Sequence, residues 1–567
     1  MQIGWVKSPS SINGLDQLGT QSPCTLIYAQ LLPGITNVTD RARYYSLYPW
    51  IVRSLDLRYK SDSSDQYIQR FRRADCLLTL IAERHARKLK DEHHGEAMIG
   101  RQRLVPALTR LEGGEPLQLS TYATQSDDSK DRYFQNRLGG MGQYYLGQLA
   151  ELRILDASRK PWVSYTPEGG TPLAQAVDQL KSIDDFWRLV DADNITLEDL
   201  DALEEFCICA APTHANEHKL LMDLFFAKTS YYKERTALGN YDPDFRSCTL
   251  RLLLHLANAL SQNSPRPINE DGFRAAVYSG SLVRNEPWEL PEDLARIRAL
   301  WSIYERNDLL SVACLSIFSS ALQALDIEVR AGRTVHSVES FAAYLSCKSE
   351  IEGSLAGLMR SAESVRQTGA TFSDLVEHME KIHPPLDDWH NSGHEIHIAS
   401  ELTSKPPTAQ TYPRTMRAAL QLVALLASRV PLFPNGYGDL LLRASDLENY
   451  PINLVSIVRR IERWQALPLK QALEDLIAWC LNTHLSVALR KLRQTRQGSF
   501  HLQPTESGLR TLGSIPEPVQ TLPRIWQALR ILADMGALSR YATSVPESSA
   551  GFVITPFGKS LLEGTDA

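Results

Sequence analysis

Residues 163–177 read VSYTPEGGTPLAQAV, and residues 552–564 read FVITPFGKSLLEG. Each is a short β-type run, then Thr-Pro, then a glycine-bearing turn into an apolar-periodic stretch. In the first, Val163 to Tyr165 is the β run. Thr166 can cap a helix with its hydroxyl, Pro167 suits the first helical position where no N–H is needed, and Glu168 suits the positive helix N-terminus. The punctuation hands a strand directly to a helix, twice in one chain.

Working outward, residues 142–155 (GQYYLGQLAELRIL) place Tyr145, Leu149 and Leu152 on one helical face, and the polar loop DASRKP leads to the strand. Helix, short strand, loop, strand and capped helix is the order of a winged helix-turn-helix, with the loop as the wing. The C-terminus repeats the order. IWQALRILADMGAL (525–538) is an amphipathic helix ending at Gly536, YATSVPESSAGF is a loop of wing length, and Thr555-Pro556 caps the last helix. A weaker third copy spans 484–511, where HLSVALRKLRQT is followed by the turn RQGS, the β run FHL and QPTESGLRTL, with Gln503 at the cap position. Phe557-Gly558-Lys559-Ser560 ends like a phosphate-binding loop, but the earlier glycine that such a loop requires falls at Val553, so no nucleotide site is expected.

Elsewhere the apolar spacing is helical, through 214–236, 246–261, 291–306, 309–327, 351–366, 414–429 and 469–493. The fold class expected is mainly α: a multi-domain helical protein with winged-helix-like modules near both ends. A chain of 567 residues and 63.7 kDa exceeds one ordinary core. Breaks at 112–131, 262–272 and 403–413 suggest residues 1–180 as an N-terminal domain with its module at about 131–180, residues 181–405 as an all-helical body, and residues 406–567 as a C-terminal domain. The start lacks an apolar signal region, and no apolar run reaches the roughly 18 residues that span a bilayer, so a cytoplasmic protein with no membrane partner is expected. The eight cysteines are scattered without a CxxC pair; Cys207 and Cys209 are the closest. Buried free thiols are the reading, with no metal and no cofactor.

Net charge is -6, yet charge is segregated along the chain. Residues 41–110 hold fifteen Lys/Arg against eight Asp/Glu, and residues 476–505 hold Arg490, Lys491, Arg493 and Arg496 with no acid. Leu485, Leu489 and Leu492 read as a buried stripe there, which leaves Ser486, Arg490 and Arg493 on another face with Lys491 and Arg496 flanking, as a recognition helix in a DNA groove requires. Near the N-terminus, Arg41, Arg43 and Arg53 interleave with Tyr44, Tyr45, Tyr48 and Trp50, a pattern that stacks on nucleic acid or, with Ala42, Tyr45, Trp50 and Val52 turned inward, builds a core. Arg41 and Arg43 join the DNA-binding candidates. Two metal-like clusters compete with bland readings. His214-Ala-Asn-Glu217-His218 fits H-x-x-E-H but occupies a first helical turn, and HPPLDDWHNSGHEIH (383–397) offers His383, Asp387, Asp388, His390, His394, Glu395 and His397 in a segment broken by glycine and proline.

The segment from Pro33 to Tyr44, within LLPGITNVTDRARYYSLYPWIV, resembles the start of an uncharacterised bacterial family found in antiphage defence islands, and the winged-helix-like region at 142–178 follows in the same place. The resemblance covers about the first 180 residues. It implies a role beside helicases, nucleases or ATPases and supplies no catalytic residues. The function expected is a non-enzymatic DNA-binding or scaffolding accessory subunit, with duplex DNA and protein subunits as partners. A kleisin-like linker that docks on a chromosome-structuring ATPase is one alternative. A metal-dependent nuclease or hydrolase using 383–397 is the other.

Overall fold

The computed structural model describes residues 16–563 apart from 92–93, 159–162, 229–242, 264–265, 283–285, 360–369, 384–394, 431–449, 507 and 542–550. The chain is mainly α, 66% helical against 6% strand, as its periodicity requires. Its contacts divide it into two units. One comprises Met1–Leu31 and Asp271–Leu522, the other Leu32–Glu270 and Pro523–Ala567. The boundaries expected near 180 and 405 do not coincide with this partition. Pattern along the chain reports where helices break; it does not report which helices share a core.

The first unit is built on one helix of 39 residues, Glu292–Arg330, where the sequence suggested two. The polar run Glu305 to Asp308 lies where the two periodic stretches meet, yet the helix continues through it with tertiary partners on Glu305, Asn307 and Asp308. Arg274 bonds Glu305 (3.0 Å) and Asp308, the N–H and hydroxyl of Thr521 donate to Asp308 at 2.9 and 2.7 Å, and the Leu454 N–H donates to Asn307 Oδ1 at 3.2 Å. By length and composition this helix is long and apolar enough to cross a membrane, and 83% of that apolar window is buried inside the fold. Helices Gln21–Leu31, Glu395–Ser404, Tyr412–Ser428 and Leu469–Thr495 pack around it.

The second unit gathers Tyr44–Arg58, Ser64–Leu89, Gly170–Val177, Ile183–Ala192 and Pro243–Asn263. A capping box of Ser63 with Gln66 starts the second of these. Tyr44, Tyr45, Tyr48 and Trp50 are all fully buried, in ring contact with Tyr145, Phe186 and Trp187, so the core reading of that segment holds.

Both Thr-Pro copies lie in this unit and share one geometry. Strand Leu155–Asp156 pairs antiparallel with Ser164–Tyr165, and Leu538–Tyr541 pairs antiparallel with Gly551–Ile554. Thr166 Oγ1 donates to the Arg153 carbonyl (2.5 Å) and accepts from the N–H of Gly169 and Gly170 (3.2 and 3.0 Å). Thr555 Oγ1 donates to the Gly536 carbonyl (2.7 Å) and accepts from the Gly558 N–H (3.0 Å). The glycine three residues after each threonine has a steric cause. A Cβ at Gly169 would lie 2.5 Å from the Arg153 carbonyl oxygen, and one at Gly558 would lie 2.1 Å from that of Ala537. The copies differ at the helix start: Pro556 opens its helix as expected, whereas Pro167 sits in a turn and the helix begins at Gly170. The third copy departs from the expectation, because residues 502–511 form a hairpin, Leu502–Thr505 with Gly508–Thr511, and no capped helix.

Candidate functional site

The basic residues at 490–496 form the end of the 27-residue helix Leu469–Thr495, not a short recognition helix. Its buried face is Leu473, Leu476, Ile477, Cys480, Leu481, His484, Val487 and Ala488, while Leu489 is 45% exposed. The stripe of Leu485, Leu489 and Leu492 read from sequence is thus out of phase. A histidine is the reason. His484 is fully buried, its Nδ1 on the Gln17 carbonyl (3.1 Å) and its Nε2 accepting from the His501 N–H (2.9 Å). Burial lowers its pKa to about 4 and keeps the ring neutral, so it takes a core position that the pattern would give to leucine.

This phase sorts the four cations. Arg493 and Arg496 are exposed and make no ion pair with a described residue. Arg490 is half-buried with its guanidinium 5.3 Å from the Tyr450 ring, and Lys491 donates to the Asp16 carbonyl (2.7 Å). The exposed stripe along this end is Asn482, Ser486, Leu489 and Arg493.

Arg41 and Arg43 are not available to DNA. Arg41 is 5% exposed and grips Asp534 with two bonds of 3.0 Å, with its Nη1 on the carbonyls of His94 and Glu96. Arg43 is fully buried and bidentate on Glu217 (3.0 and 2.9 Å), with its Nη1 on the carbonyls of Glu205 and Cys207. Much of the rest of the basic stretch is also paired, while Lys60, Lys90 and Arg103 are exposed without an ion pair to a described residue. Arg53 pairs with Asp178, Arg70 with Asp62 and Asp191, Arg84 with Asp201 and Glu112, Lys88 with Glu204, and Arg101 with Glu83.

The H-x-x-E-H reading loses its carboxylate to Arg43, and His218 Nε2 bonds the Met535 carbonyl (2.8 Å). In the second cluster Glu395 is buried between Tyr278 (2.7 Å) and Arg429 (2.9 Å). Residues 384–394 of that cluster, with Asp387, Asp388, His390 and His394, lie outside the described residues.

The structure brings together a different set. His85 from the Ser64–Leu89 helix, His94 from the following loop, and Cys207 and Cys209 from a 3₁₀ segment place one ligating atom each within 4.8 Å of one another. Cys207 is the extended residue between two 3₁₀ turns, Glu204–Phe206 and Ile208–Thr213, and this change of direction aims both thiols to one side. His94 Nε2 lies 2.9 Å from Cys207 Sγ, and His85 Nδ1 lies 3.5 Å from Cys209 Sγ. Glu204 bonds the far nitrogen of His85 at 2.8 Å. The Cys207 thiol donating toward Cys209 holds the latter far below the ordinary thiol range, at about 4, with His94 and His85 adding to the effect; burial pushes Cys207 up. Sequence reasoning set these cysteines aside as scattered thiols. The available signal was the C-x-C spacing together with histidines 85 and 94, which no local motif joins because more than a hundred residues intervene. Comparison with family models, with curated proteins and with solved structures finds no match to this chain.

Proposed function

We propose that this chain is a non-catalytic, mainly helical subunit of a multi-protein bacterial system of the antiphage kind, cytoplasmic, that contacts duplex DNA through the end of the Leu469–Thr495 helix. One observation carries the reading: Arg493 and Arg496 stand exposed, without ion pairs among the described residues, in a thirty-residue stretch that contains no acid. Unneutralised guanidinium groups less than a turn apart displace counterions from phosphates, so affinity falls steeply with salt. The two Thr-capped helix–hairpin–helix segments serve in this reading as winged-helix-like docking modules for partner subunits such as an ATPase, helicase or nuclease.

The test is duplex binding by fluorescence anisotropy across a salt series, for the native chain and for Arg493→Glu with Arg496→Glu. The reading expects binding at low salt, and weaker binding with a shallower salt dependence in the variant. A second reading, a kleisin-like linker that binds ATPase heads and not DNA, is favoured by the net charge of -6 and by the internal pairing of most of the 41–110 cations. Stable co-purification with an ATPase and no shift of duplex at low salt would select it.

A further inference from the structure

We propose that His85, His94, Cys207 and Cys209 bind one zinc ion in a closed, structural site, an inference independent of the DNA reading. Tetrahedral zinc with Zn–S of about 2.3 Å and Zn–N of about 2.0–2.1 Å sets its ligands about 3.3–3.8 Å apart. The four atoms here already lie within 4.8 Å of one another, so small side-chain movements complete the tetrahedron. Two thiolates and two imidazoles are the donor set that selects zinc over harder cations. Two thiolates also cancel the charge of the ion, so the buried centre carries no net charge.

The surroundings match a metal centre. A ligating histidine ordinarily has its other nitrogen held by a carboxylate or carbonyl, and Glu204 does this for His85. Carbonyls of two ligand residues are themselves fixed: Arg41 donates to that of His94 (2.9 Å) and Arg43 to that of Cys207. Four protein ligands fill a tetrahedral shell and leave no coordination position for a substrate, so the role is structural, although His85 and Cys209 are only partly buried.

The site also explains how the C-terminal segment is held within its unit. Two residues after His94, Glu96 pairs with Arg530 (2.9 Å) and Arg540 (2.6 Å), and Arg41 links the His94 carbonyl to Asp534. A metal that fixes His94 therefore fixes the loop on which helix Ile525–Asp534 and strand Leu538–Tyr541 rest.

The competing chemistry for the same atoms is a nucleophilic cysteine, Cys209 against His85 oriented by Glu204. The experiment separates the two. Untagged full-length chain, purified without chelator, is analysed for metal by plasma mass spectrometry. It is then titrated with an organomercurial while a zinc-binding dye reports released metal. The expected result is one zinc per chain, released as two thiols react, and a visible thiolate-to-metal charge-transfer band when cobalt replaces zinc. Hydrogen exchange over 525–541 should rise after metal removal while exchange over 292–330 stays unchanged. Cys207→Ser with Cys209→Ser should carry no zinc; because the wild-type titration stands alone, failure of that variant to fold does not affect the test. No stoichiometric metal in the native chain, with Cys209 alkylated at once by iodoacetamide, overturns the proposal and leaves the nucleophile.

Discussion

Two stretches of this chain are rich in basic residues, and they end in opposite places. In 41–110 most of the arginines are consumed inside their own unit, on acids such as Asp534, Glu217, Asp178, Asp191 and Asp201, and Arg103 alone among these arginines is exposed without an ion pair to a described residue. In 476–505 no acid accompanies the cations along the sequence, and Arg493 and Arg496 remain on the surface without an ion pair among the described residues. A local excess of positive charge is therefore a statement about chemistry only when the fold supplies no acids to it. The first stretch sits among acids from residues 178–217 and 534 that are far away in sequence. The second keeps its end in solvent because the helix phase, set by His484, turns Arg493 outward.

The largest expected effect tests the consumed side of this contrast. Arg43→Ala strands the buried Glu217 and should cost about 3–5 kcal/mol in urea unfolding, since breaking a buried pair leaves an uncompensated charge. A loss below about 1 kcal/mol would show that water reaches the pair.

The pH response comes next, because the first stretch buries a carboxylate, Asp75, and the second an imidazole, His484. Burial raises Asp75 to about 6, with the hydroxyls of Tyr48 and Tyr133 and the Gly140 N–H on its oxygens. The folded state then binds the proton more tightly than the unfolded state, so this group adds stability as pH falls from about 6 towards 4, by on the order of 2–3 kcal/mol. His484, lowered to about 4, does the reverse: the unfolded state takes up the proton first, and a similar amount is lost as pH falls from about 6.5 towards 4. Unfolding free energies measured against Asp75→Asn and His484→Gln should diverge in opposite directions over that window. Parallel lines would contradict the burial of either group.

A smaller effect is expected from the half-exposed part of the basic stretch. Arg84→Ala removes a bidentate contact to Asp201 (2.9 and 3.0 Å), and the expected loss is up to about 1 kcal/mol, most of it removable by salt. Smallest of all, Arg493→Glu and Arg496→Glu should change stability by no more than about 0.5 kcal/mol, as exposed residues without partners do.

Helix content was readable from periodicity, and so was the repeated Thr-Pro device, because capping depends on residues within a few positions of each other. Thr555 caps as the sequence suggested, whereas Thr166 closes the turn ahead of a helix that starts at Gly170, and at both the glycine three residues on is explained by a carbonyl that a Cβ would strike. What escaped the sequence was non-local. Asp308 fell between the two periodic stretches 291–306 and 309–327, which are one helix in which Thr521 and Arg274 supply its partners. Arg43 looked like a nucleic-acid contact until Glu217 was found against it. The Cys207, Cys209, His85 and His94 cluster escaped for the same reason, since its halves are joined only by the packing of the Ser64–Leu89 helix against the 3₁₀ segments after Leu203.

The most direct test of the contrast is the salt dependence of duplex binding, compared between the native chain and Arg493→Glu with Arg496→Glu. The expected result is a plot of log affinity against log salt whose slope is shallower in the variant by about two, with unfolding unchanged. Equal slopes, or no duplex binding by the native chain even at low salt, would contradict the assignment of this helix end as a nucleic-acid contact.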